Sequence, residues 1–171
     1  MWIKMAGGAM VVASCAVLGL YYSMKTGFRI NDLTELKKAL LLLKGEIEFA
    51  HSSLPEAMQN VAERLDSRLA AFFLTAREYM RSGADTAVVF NEAVKDKLSL
   101  LHLDADDLRS MERLGETLGF LSKHTQIEGV EMAVLYIDST IERLKENEGR
   151  SGRLYRNAGI LFGILLVIIL I

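Results

Sequence analysis

A single cysteine, Cys15, has no partner within the chain, so a disulfide framework is excluded for these 171 residues. Proline is equally scarce, and the only one, Pro55, reads as a helix start. The three histidines, His51, His102 and His124, lie far apart in sequence. Without HExxH or paired cysteines they supply no metal ligand set, and each reads as a helix-end or surface residue. There is no GxxxxGK[ST] loop, no GxGxxG after a strand and no GxSxG elbow. Nucleotide hydrolysis, dinucleotide binding and serine-type catalysis therefore have no visible machinery, and the chain reads as a non-enzyme without a cofactor. Positive charge is also short where a nucleic acid would need it. All 22 acidic residues fall between Asn31 and Gly149 against 14 basic ones, a balance that argues against a nucleic-acid partner, whose phosphates need a concentrated basic surface.

What the chain does have is two uncharged, helix-length apolar segments at opposite ends. Met5 to Met24, MAGGAMVVASCAVLGLYYSM, spans roughly 30 Å at ~1.5 Å per residue, the thickness of a bilayer's hydrocarbon core. Ala158 to Ile171, AGILFGILLVIILI, covers only about 21 Å, but extension back to Arg153 adds Tyr155 and two arginines able to snorkel at the interface. Lys25, Arg29, Lys37 and Lys38 follow the first segment, and Arg143, Lys145, Arg150, Arg153 and Arg156 precede the second, with only Lys4 beyond either. The positive-inside bias then places the central region in the cytoplasm, with its basic flanks near membrane lipids. A lipoprotein signal ending at Cys15 is the rival reading. The apolar run AVLGLYY continues past that cysteine, where a mature lipoprotein would begin a polar tether.

Between the ends the periodicity is helical. Leu33, Leu36, Leu40, Leu43 and Ile47 align on one face of a first helix. Ser53-Leu54-Pro55-Glu56 reads as a capping box, with Pro55 in the first helical position and Met58, Val61, Ala62 and Leu65 as the buried face. A third helix runs from about Ser67 to Ser82, with Leu69, Phe72, Phe73, Ala76, Tyr79 and Met80 inward and Gly83 placed to end it. Asp85 or Thr86 caps a short helix through Val94, and Leu98 to Leu103 reads as a packed loop. Asp104-Ala-Asp-Asp107 sets acids at a helix start, followed by Leu108, Met111, Leu114 and Leu118. These acids lack the glycine and terminal glutamate of an EF-hand loop, so capping is favoured over calcium. The last helix, about Thr125 to Asn147, carries Ile127, Val130, Val134, Ile137, Ile141 and Leu144. Gly115 and Gly119 read as a close-approach pair, with a C-cap as the alternative for Gly119. Ala9 with Ala13, and Gly159 with Gly163, form small-xxx-small pairs suited to membrane helix packing.

Taken in order, the apolar N-terminus, EIEFAHSSLPEAM, LGETLG, QIEGVEMAVLYIDSTIERLKENEG and the tail RLYRNAGILFGILLVIILI resemble the stage III sporulation protein AB family of endospore-forming bacteria. Lys95 to Leu103, KDKLSLLHL, departs from the family's form. The resemblance implies similarity to the cytoplasmic domain of type II secretion and type IV pilus platform proteins, an antiparallel helical bundle. It also implies a channel apparatus between mother cell and forespore, with a cytoplasmic secretion-type ATPase and other channel membrane proteins as partners. No catalytic residue is carried over.

Residues and resemblance together predict an all-α protein: an antiparallel bundle of about five to six helices in 25–153, flanked by transmembrane helices in 1–24 and 154–171. The expected role is a two-pass platform in the mother-cell-derived membrane around the forespore, with a static scaffold as the alternative and self-association left open. Partner contacts are expected on acidic positions opposite the apolar stripes: Glu46, Glu48, Glu56, Glu63, Glu112 and Glu116.

Overall fold

Apolar steps of three and four with few breakers dictate helix, and every regular element among the described residues of the computed structural model is helical. The structure describes residues 2–50, 52–65, 68–81, 85–120 and 122–170, with side chains described only between Met24 and Asn147. In order, the elements are α1 (Trp2–Glu48), α2 (Leu54–Glu63), α3 (Arg68–Arg81), α4 (Thr86–Lys97), a 3₁₀ turn (Leu98–Leu100), α5 (Ala105–Leu118) and α6 (Lys123–Leu170). The chain divides into two compact units, Met1–Phe28 with Glu142–Ile171, and Arg29–Ile141.

Two helices are longer than the periodicity suggests. The first leucine stripe is part of a continuous α1 that begins at Trp2, and the last helix runs on from Asn147 to Leu170. No proline interrupts either stretch, and an isolated helical glycine such as Gly27 costs only about 1 kcal/mol. The apolar end segments, apart from Met24, lie outside the described side chains, as do Ala9, Ala13, Gly159 and Gly163. Among the described residues no helix is long and apolar enough to cross a membrane.

Within Arg29–Ile141 the leucine stripe of α1 is buried as expected, together with Ala39. Residues Ala57, Met58, Val61 and Ala62 of α2 join this core, as do Leu69, Phe72, Phe73 and Ala76 of α3. Phe72 meets Phe73 and Phe90 edge to face, with ring centroids 5.0 and 5.3 Å apart. Burial of each ring contributes roughly 1.5–3 kcal/mol, and each such pair adds about 0.5–1.5 kcal/mol. Core contact stops at Ala76: Tyr79 is exposed and Met80 half-buried, so the inward face of α3 is one turn shorter than its apolar pattern. Leu65 likewise falls beyond the end of α2 and is half-buried, while Gly83 lies outside the described residues.

Capping follows the sequence closely. The Ser53 main-chain N–H donates to Glu56 Oε2 at 3.0 Å, although α2 starts at Leu54 and leaves Pro55 in its second position. Of the two candidate caps for α4, Asp85 acts, accepting from the Ala87 N–H at 2.8 Å. The expected loop at 98–103 opens with the 3₁₀ turn, whose Leu98 is buried.

Cross-helix contacts give the topology. Lys37 reaches Asp138 and Lys44 reaches Glu131, so each step of seven along α1 is matched by a step of seven back along α6. The two helices are therefore antiparallel. Gly115 lies against Phe90 and Gly119 near Ala87, which makes α4 and α5 antiparallel. Asp107 with Tyr136, and Thr117 with Gly129, do the same for α5 and α6. The glycine pair in LGETLG thus splits its roles. Gly115 permits close approach, since a Cβ there would sit 2.7 Å from Phe90 Cδ1, whereas Gly119 is the C-cap of α5. Gly129 is a second close approach, over Thr117, that the LGETLG motif does not announce.

Candidate interaction surfaces and a polar staple

The acidic start of α5 does two jobs. The Asp104 main-chain N–H donates to Asp107 Oδ2 at 2.9 Å, completing a capping box. The same Asp107 carboxylate, 2% exposed, accepts Arg29 Nε at 3.0 Å on Oδ2 and Arg29 Nη2 at 3.1 Å on Oδ1. Tyr136 O–H completes the set at 3.0 Å on Oδ1. Arg29 also pairs with Asp104. One turn further along α1, Asp32 accepts the His102 main-chain N–H at 2.8 Å and meets its Nδ1 at 3.0 Å.

This cluster ties α1, α5, α6 and the approach to α5 at one place. A bidentate arginine on a buried carboxylate carries geometric specificity as well as energy, so the cluster acts as a register staple. Burial pushes the Tyr136 phenol above its ordinary value, and the contact with Asp107 adds to that. The acids at Asp104 and Asp107 are accordingly engaged in capping and in holding Arg29. Among the described residues no three His, Cys, Asp or Glu side chains gather as metal ligands. On the sequence alone Arg29 reads only as a membrane-flanking cation. Its pairing spans 78 residues, and local spacing carries no sign of it.

The expected acidic contact face is dispersed, and one member leaves it. Glu46 is not exposed: it is 6% accessible and accepts Asn60 Nδ2 at 2.7 Å and Ser52 Oγ at 3.4 Å. Arg64 Nη2 lies 3.1 Å away. The physical reason is its place at the edge of the leucine stripe, beside Leu43 and Ile47, where α2 closes over it. Glu48 is half-buried beside Lys44. Glu56 is exposed but held by Ser53, whose hydroxyl and main-chain N–H lower its carboxyl below the usual value. Glu63 accepts Gln59 Nε2 at 2.5 Å. On α5, Glu112 is half-buried and Glu116 exposed, and the same outward side carries exposed Arg109 and Arg113. That surface is mixed in sign rather than uniformly acidic.

A different surface lies where α1 meets α6. Leu41, Met132 and Leu135 are exposed there, beside the pairs Lys37–Asp138 and Lys44–Glu131. Glu131 raises the Lys44 ammonium above its ordinary value, first by hydrogen bonding.

A family model described as stage III sporulation protein AB matches residues 4–171. The chain belongs to the stage III sporulation protein AB family. Stage III sporulation protein AB of Bacillus subtilis (strain 168) is 22% identical over 169 residues, covering 98% of this chain and 99% of that protein. A solved structure of stage III sporulation protein AB aligns with a TM-score of 0.65 at 21% identity, over 72% of this chain and 98% of that one. At that identity the likeness shows the fold, and it agrees with the all-α bundle built from the leucine stripes. The stage III sporulation protein AB resemblance drawn from the sequence motifs is therefore correct, and the protein is a sporulation protein by family.

Proposed function

We propose that this protein is a non-enzymatic platform of the sporulation channel between mother cell and forespore. In this reading 1–24 and 154–171 cross the mother-cell-derived membrane, and 25–153 couples a cytoplasmic secretion-type ATPase to channel membrane subunits. The observation that carries the reading is the charge layout on a helical unit. Every acidic residue lies between the two uncharged apolar ends, and basic residues cluster beside both ends. Membership of the stage III sporulation protein AB family supplies the sporulation context.

Contacts with the ATPase fall on exposed Glu56, Glu63 and Glu116 and on half-buried Glu48 and Glu112 as candidates; the burial of Glu46 removes it from that set. The test is co-purification of the full-length chain, in detergent, with its cognate ATPase at moderate salt. The wild type should retain the ATPase, and Glu112→Lys with Glu116→Lys should weaken retention at least fivefold while helicity is unchanged. A folded wild-type chain that retains no ATPase would refute the coupling and leave a static scaffold, held through segments such as Gly159–Gly163.

A further inference from the structure

We propose that the face shared by α1 and α6 within Arg29–Ile141 is a self-association surface whose occupant is a second copy of this chain. The Lys37–Asp138 and Lys44–Glu131 pairs, each 2.6 Å, are seven residues apart on both helices, roughly 10 Å along the axis. Midway between them, at one level, stand Leu41 and Leu135, 48% and 63% exposed. Met132, 68% exposed, lies one turn from Leu135. One turn beyond Leu41 is Gly45, where nothing lies within 4 Å of the position a Cβ would take, so the backbone is open to approach. A lone exposed leucine is unremarkable in a soluble surface. Two at one level, with a methionine beside them and two ion pairs as a frame, have the anatomy of an apolar contact centre with a polar rim.

The charges choose the occupant. Both lysines stand on the α1 edge and both acids on the α6 edge. A partner surface of one sign would meet its own sign along one of these edges. A second copy does not, because the face is self-complementary. With a two-fold axis parallel to the helices, α1 of the second copy lies over α6 of the first at unchanged height. Lys37 of the second copy then reaches Asp138, Lys44 reaches Glu131, and Leu41 lies over Leu135. A two-fold axis across the helices would instead stack lysine edge on lysine edge. The interface is small, so the contact is weak and reversible in solution. No step of this argument involves the ATPase, and its test contains none.

The test uses full-length chains carrying two different tags or fluorophores, in detergent and in vesicles, with association read by co-capture and energy transfer. Wild-type chains should pair, and Leu41→Glu or Leu135→Glu should weaken pairing at least tenfold with helicity retained. The decisive variant exchanges the edges: Lys37→Glu and Lys44→Glu together with Asp138→Lys and Glu131→Lys. It keeps each intrachain pair with its sign reversed. It should pair with itself as the wild type does, while mixed pairs of exchanged and wild-type chains should be at least tenfold weaker. Its self-pairing rules out misfolding as the cause. Wild-type chains that stay monomeric, association unaffected by Leu135→Glu, an exchanged chain that folds but does not self-pair, or mixed pairs that form as readily as like pairs would each overturn the proposal.

Discussion

Replacing Asp107 with alanine removes one acceptor shared by Arg29, Tyr136 and the Asp104 main-chain N–H. Breaking a buried ion pair from one side costs about 3–5 kcal/mol, and losing a helix cap about 1 kcal/mol. Two features offset part of this. Arg29 keeps Asp104 as a partner and is itself 15% exposed, and alanine carries no charge to desolvate. The net expectation is roughly 3 kcal/mol, a large share of the ~5–15 kcal/mol that holds a domain together. For a unit of this size that corresponds to a fall in Tm of about 12 °C. Denaturation of the full-length chain, followed by far-ultraviolet circular dichroism, measures it. Asp138→Asn is the control. Its pair with Lys37 is only part-buried, with side chains 32% and 44% exposed, so the loss should stay within about 1 kcal/mol. A loss for Asp107→Ala no greater than for Asp138→Asn would refute the staple as a source of stability.

Gly129→Ala should destabilise by roughly 1–2 kcal/mol in the same assay. The new methyl overlaps Thr117 Oγ1 and lies 2.7 Å from Thr117 Cβ, and that overpacking exceeds the helix-propensity gain of about 1 kcal/mol. Gly45→Ala meets open space and should gain about 0.5–1 kcal/mol, so similar effects at the two glycines would contradict the packing assigned to Gly129. Because burial raises the Tyr136 phenol above 10.0, the unfolded chain ionises first and the stability from this group is lost as pH climbs from about 10 through the raised value. Tyr136→Phe should flatten that alkaline limb of a pH–stability curve. For Glu56 the sign reverses: Ser53 lowers its carboxyl, so its contribution is present above 4.5 and fades as pH falls. Glu56→Gln should remove that acidic slope.

Legibility divided by the range of the interaction. The buried stripe Leu33, Leu36, Leu40, Leu43 and Ile47 and the Ser53–Glu56 capping box are readable, and the cap of α4 is narrowed to Asp85 or Thr86, because each depends on residues within one or two turns. The continuity of α1 and α6 is not legible in the periodicity, because the apolar stripe that marks a helix face ends where the composition changes, although nothing in the backbone chemistry requires the helix to end there. Tyr79 and Met80 were misplaced because periodicity says which side of a helix is apolar, not how far along its axis a neighbour extends. Glu46 failed for the same reason in reverse: it sits on the margin of the stripe, where the approach of α2 decides between water and burial.

The amino-acid sequence by itself determined that this protein is helical, that its acids are confined between two uncharged apolar ends, and that its motifs are those of the stage III sporulation protein AB family. These follow from local periodicity and composition, which need no fold to act. Only the tertiary structure decided that Arg29 meets Asp107 across 78 residues, that Gly129 rather than Gly119 takes the tightest approach, and that Leu41 and Leu135 stand level on one face. Each of those depends on the antiparallel register of α1, α5 and α6. That register is set by the simultaneous packing of several helices, and no single segment encodes it.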